Sequence, residues 1–124
     1  MARRITQQEG KRLGLPGRAA LEMVSGEIGS RVTFRIVEIP VAQPGETLRG
    51  PHRHHGYEEC IYVLKGSGTT FSESGELAIK AGDVVLVPSQ EKHVTRNTGG
   101  EPLMLLCFFP TENIERSTEN FSNF

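Results

Sequence analysis

The stretch His52-Arg53-His54-His55-Gly56-Tyr57-Glu58-Glu59 sets three imidazoles and two carboxylates within eight residues, directly before the apolar run Ile61-Tyr62-Val63-Leu64. Side chains on a strand alternate faces, so residues two apart point the same way. On an extended segment His52 and His54 therefore aim both imidazoles at one point, while Arg53 and His55 face away. Gly56 lets the chain bend, and Glu59 opens the next strand able to return to the same interior. Ile61 and Val63 follow in phase and line that cavity; Cys60 and Tyr62 face the other layer. Nitrogen and oxygen donors crowded in this way are metal chemistry, and His52, His54 and Glu59 are read as ligands of one ion.

Downstream, Gly82-Asp83 opens a strand, Pro88 closes it, and His93 follows a short loop with Asn97 four residues beyond. Antiparallel pairing can bring His93 beside the first three. Strands are expected at 51–55, 58–64, 68–71, 76–80, 84–87, 93–97 and 103–109, separated by Gly56, Gly66, Ser74-Gly75, Ala81-Gly82, Pro88-Ser89 and Gly99-Gly100. Upstream, 19–24 and 32–39 also read as strands. In the second, Val32, Phe34 and Ile36 alternate with Thr33, Arg35 and Val37. Pro40 stops it, and Pro44-Gly45 makes a tight turn. No segment keeps a helical period beyond two turns. Many short strands with Gly and Pro punctuation predict an all-β antiparallel sandwich or barrel.

Residues 1–30 are expected to form an N-terminal arm and first strand, with Thr6 and Glu9 spaced for a capping box over a single helical turn. Residues 31–110 form the barrel. The polar segment 111–124 is a C-terminal tail that drapes over the barrel or contacts a partner.

The 124 residues make one domain, 36% hydrophobic and 23% charged, with a net charge of −1 and no basic stripe. That excludes nucleic acid as a main partner, because phosphate binding draws on clustered Lys and Arg. No apolar run is long enough to span a membrane, and no signal peptide is visible, so a cytoplasmic protein is expected. Cys60 and Cys107 lie in apolar strands and are read as reduced core residues. Tyr57, Tyr62 and Arg35 are read as packing or surface groups rather than substrate contacts.

Taken together, these residues resemble the cupin superfamily. Its first motif matches His52-Arg53-His54, four residues, Glu59, six residues and Gly66. Its second matches Gly82, Pro88, His93 and Asn97. Gly45 stands one residue further from His52 than the motif asks, unless Gly50 replaces it, and Gln90 occupies the second motif's middle Gly. The spacing to Gly66 favours Glu59 over Glu58. The resemblance implies a small antiparallel double-stranded β-helix, the jelly-roll or cupin barrel, often dimeric. It implies a metal site of His52, His54, Glu59 and His93 holding one divalent transition ion (Fe, Mn, Ni, Co, Cu or Zn). It also implies a mononuclear metal enzyme acting on a small organic substrate, by dioxygenase-type chemistry first and isomerase or lyase chemistry next. The alternatives are a metal-dependent small-molecule-binding protein without turnover, and a structural metal site in an assembly protein.

Overall fold

The run Thr33–Ile39 is rich in branched side chains that suit a pleated, half-buried surface, and it forms β3, inside the larger of two sheets. The structure is a computed structural model describing residues 1–124. The larger sheet has six strands in the order β1 (Lys11–Leu13), β2 (Ala19–Val24), β3, β10 (Leu103–Phe109), β5 (Glu59–Lys65) and β8 (Val84–Val87). The smaller has five: β11 (Thr118–Asn120), β4 (His52–His54), β9 (His93–Arg96), β6 (Ser67–Ser72) and β7 (Gly75–Lys80). Every pairing is antiparallel. This is the expected jelly-roll barrel, and the internal strands fall within a residue or two of their expected bounds.

Alternation fills the interior. Glu59, Ile61 and Val63 on β5 are buried, as are Leu103, Leu105, Cys107 and Phe109 on β10, and Val85 and Val87 on β8. Val63 and Leu103 are fully enclosed, and each such side chain contributes about 1.5–3 kcal/mol by leaving water. Behind them the chain turns at Gly66, which holds φ +86° where a Cβ would lie 2.5 Å from the Pro102 carbonyl oxygen. Only glycine fits that combination of left-handed backbone and close approach. Asn97 locks the same end, donating its amide to the Ile39 and Glu101 carbonyls and accepting from Gly99.

Three local expectations change. On β3 the buried set is Thr33, Arg35, Val37 and Ile39, so Arg35, read as a packing or surface group, lies inside. Arg35 tolerates burial because Glu22, its register partner on β2, takes two of its hydrogen bonds. In the arm, the Thr6–Glu9 capping box closes only a 3-10 turn, Gln7–Glu9, after which Lys11–Leu13 pairs with β2. In the tail, Thr118–Asn120 is a strand, paired to β4 so that Thr118 lies opposite His54 and Asn120 opposite His52. No helix is long and apolar enough to cross a membrane.

Candidate metal centre

The barrel brings all four expected ligand residues together. β4 supplies His52 and His54, β5 supplies Glu59, and β9 supplies His93, which lies opposite His52 in register. All four are buried, and one donor atom from each lies within 4.8 Å of every other. His55 turns outward to Glu119, and Glu58 is exposed, as parity and spacing predict.

Hydrogen bonds fix the imidazole tautomers. The Thr118 hydroxyl donates to the Ile114 carbonyl, so its oxygen accepts from Nδ1–H of His54 at 2.9 Å. His93 donates Nδ1–H to the Glu91 carbonyl at 3.0 Å, since a carbonyl can only accept. Both rings therefore present an Nε2 lone pair to the centre. There, His93 Nε2 lies 3.0 Å and His54 Nε2 3.4 Å from Glu59 Oε1. Acceptors facing acceptors need a proton or a cation between them. His54 Nε2 and a ring nitrogen of His52 (Nδ1) are also buried without any partner. Buried polar atoms are seldom left unpaired, and a metal ion satisfies this set at once.

The electrostatics agree. Burial would raise the Glu59 pKa, but in the ion-free site a proton held between the carboxylate and the facing Nε2 atoms of His54 and His93 outweighs it and holds the carboxyl well below the usual range. Burial would lower His93, but its bond to Glu59 and that carboxylate's charge raise it above the ordinary imidazole value. Burial, with His93 and Arg49 nearby, pushes His52 down to about 2. Tyr57 stacks on the His54 ring at 5.6 Å, and its hydroxyl bonds the Ile114 carbonyl and Ser117, so it packs the site from behind.

A cavity of about 650 Å³ opens onto the four residues. Leu15, Val37, Ile61, Leu105 and Phe109 give it apolar walls. Arg18, Arg35 and Arg49 also line it, as do Thr118 and Asn120 of the tail strand. Sequence reading missed Arg18, Arg49 and Thr118, which arrive on loops and at a chain end. The signal for Arg35 was its in-phase position with Val37 and Ile39. An ion held by these four side chains would be reachable by a small substrate or water through the cavity.

The model of the family described as "Cupin domain" matches residues 41–109. An uncharacterised protein of Methanocaldococcus jannaschii is 30% identical over 86 residues, 69% of this chain and 67% of that protein. The oxalate-binding protein of Thermotoga maritima is 40% identical over 64 residues, 52% of each, so the chain spans about half of that relative's length. Among solved structures, the Streptomyces nucleoside dehydratase Pac13 superposes with a TM-score of 0.76 at 18% identity, covering 98% of this chain and 92% of that one, a likeness of fold.

Proposed function

This chain belongs to the cupin domain family, and we propose that it is a metal-dependent enzyme acting on a small organic acid. In this reading His52, His54, Glu59 and His93 hold one divalent transition ion. The observation that carries it is the buried four-donor cluster, with partnerless nitrogens, opening onto a cavity of about 650 Å³. That volume lies within the roughly 300–1,000 Å³ of ordinary small-molecule sites. The 40% identity to an oxalate-binding protein supports an acidic ligand.

When bound, the ion supplies Lewis acidity and, if redox-active, electrons. The protein does the rest. Thr118 and the Glu91 carbonyl hold the His54 and His93 rings with Nε2 inward. Glu59, kept anionic by those imidazoles, serves as a ligand and is a weak proton acceptor. Ile61, Leu105 and Phe109 keep water away from the reacting end. Oxygen-dependent bond cleavage next to the acid group is the reaction class proposed first, ahead of isomerisation or elimination.

Elemental analysis of the purified protein, then oxygen uptake against phenolic, thiol and dicarboxylic compounds, tests the reading. One equivalent of a transition metal and substrate-dependent uptake are expected. Product without oxygen uptake points to isomerisation or elimination. Tight ligand binding without product means a binding protein, the second reading, which the oxalate-binding relative favours. A His93→Ala protein with its full metal content would sink the site.

A cytoplasmic homodimer belongs to the same reading. The free Cys60 and Cys107 suit a reducing compartment. The outward faces of β5, β8 and β10 expose Tyr62, Leu64, Val84, Leu86 and Phe108, an apolar surface that a second copy would cover. Light scattering after gel filtration reads the mass, and a monomer at micromolar concentration would end that part.

A further inference from the structure

The three arginines of the cavity are not equivalent. Arg35 is neutralised: its Nε and Nη2 donate to Glu22 Oε2 at 2.9 and 2.7 Å. Arg18, in the loop before β2, has no carboxylate partner. Its Nη2 donates to the Thr95 carbonyl at 3.3 Å, and its Nε is buried with nothing to bond. Arg49, three residues before His52, makes no side-chain hydrogen bond and no ion pair in a structure that describes every residue. Two acidic side chains line the same cavity. Glu59 is committed to His54 and His93, and the Glu115 side chain is 74% exposed, facing Arg35 at 3.9 Å.

Two half-buried guanidiniums beside one cavity, without a counter-ion, are costly. Burial, then the charge of Arg49, push the Arg18 pKa down to about 10. Burial also lowers Arg49; the Glu59 charge offsets part of this, and the charge of Arg35 adds to it. A divalent ion at the histidines would make the cavity more cationic still. What relieves this arrangement is an anion, and guanidinium donors suit carboxylate or phosphate oxygens in particular.

We infer that Arg18 and Arg49 form a second anion subsite, so that the substrate is a small organic dianion with one acidic group at the metal centre and the other on the arginine pair. The inference rests on the functional reading above, since the first acidic group needs the ion. It adds what that reading lacks: a second charge on the substrate and the residues that select it. A six-atom acid such as oxalate fills at most about 180 Å³ at about 30 Å³ per water-sized unit. The cavity of about 650 Å³ therefore leaves room for a longer molecule between the two ends.

The test is calorimetric titration of the Mn²⁺-loaded protein with oxalate, succinate, glutarate and phosphoglycolate, against acetate and butyrate as monoanions. At least one dianion should bind about 10–100-fold tighter than the monoanions, as a charge-assisted pair of contacts implies. The tightest of the series identifies the second group as carboxylate or phosphate. Arg49→Gln, whose side chain has no partner to lose, should abolish that preference while Mn²⁺ stoichiometry and acetate binding stay the same. Arg18→Gln should do likewise. Equal binding of mono- and dianions, or an Arg49→Gln protein that keeps the preference, overturns the subsite and leaves the metal reading standing. If Mn²⁺ does not load, the metal reading has failed and the pair is judged on the metal-free protein. A rise in melting temperature with millimolar succinate that Arg18→Gln and Arg49→Gln lose sustains the pair, and no rise overturns it.

Discussion

The same strands build two unlike halves of one barrel. On β5, Val63 sits in the closed core, Ile61 lines the cavity wall, and Glu59, in phase with both, faces three imidazoles. On β10, Leu103 fills the closed end, whereas Leu105, Cys107 and Phe109 border the cavity. At the closed end apolar atoms pack, and Asn97 spends its amide on backbone. At the open end two imidazole nitrogens and the Arg18 Nε go without partners. The difference teaches where stability resides. The closed half holds the fold with enough margin that the open half can keep unsatisfied donors and acceptors aimed at what is to bind.

If that division is right, damage to one half should spare the other. The largest effect is expected for Leu103→Ala, which removes a fully enclosed side chain. It should cost about 2–5 kcal/mol by loss of transfer energy and cavity formation. Chemical denaturation reads the loss, and metal stoichiometry in the folded protein should not change. A Leu103→Ala protein that folds but loses its metal would erase the distinction.

Thr118→Val attacks the open half alone. It removes the acceptor for His54 Nδ1–H while keeping the shape of the side chain, and metal affinity should fall about 10–100-fold. Thr118→Ser should restore it. Competition with a chelator measures the change, and unaltered affinity would mean that the tail strand is only a cover.

Acidity offers a reagent-free comparison. In the metal-free protein His93 has a raised pKa, so its contribution to stability is full below the ordinary imidazole value of 6.5 and is lost as pH rises through the raised one. Glu59 has a lowered pKa, so its contribution is present above the ordinary carboxyl value of 4.5 and lost as pH falls through the lowered one. His52, lowered to about 2, contributes fully above 6.5 and progressively less below it. The ion replaces the His93 proton and needs neutral imidazoles. The rise in melting temperature on adding metal should therefore grow with pH from about 6 to 8. An increment that is flat with pH would place the ion elsewhere.

The smallest effect sharpens the boundary between the halves. Gln90, where the motif carries glycine, holds φ +78° and donates its backbone N–H to the His54 carbonyl at 2.8 Å. Gln90→Gly should relieve left-handed strain and stabilise by roughly 0.5–1 kcal/mol, net of the added flexibility of glycine. Thermal melts detect it, and a loss of stability would show that the Gln90 side chain does more than occupy a turn.

Much of this was legible in the chain. Two-residue alternation placed His52 with His54 and Glu59 with Ile61 and Val63, because a strand's pleat is a local property. His93 entered through the resemblance to the second cupin motif, because no local property of a strand places it beside the other three. Alternation on β3 left the buried face open, and the ion pair with Glu22 lets the face of Thr33, Arg35 and Val37 be the inner one. The polar sequence of 118–120 gave no strand signal. Those residues pair because β4 offers an open edge, and Gly50 lets the chain come so close that a Cβ there would lie 2.1 Å from the Phe121 carbonyl oxygen.

By itself, then, the sequence determined most of the strands, an antiparallel sandwich or barrel and the shared face of His52 and His54, all set by local backbone periodicity and turn chemistry, while the resemblance to the cupin motifs implied the barrel type and added His93. Only the tertiary structure decided which groups face those donors. Arg18 and Arg49 come from loops, Thr118 comes from the chain end, and Arg35 lies inward on its ion pair with Glu22. Their positions depend on contacts between segments distant along the chain, and no periodicity encodes such contacts.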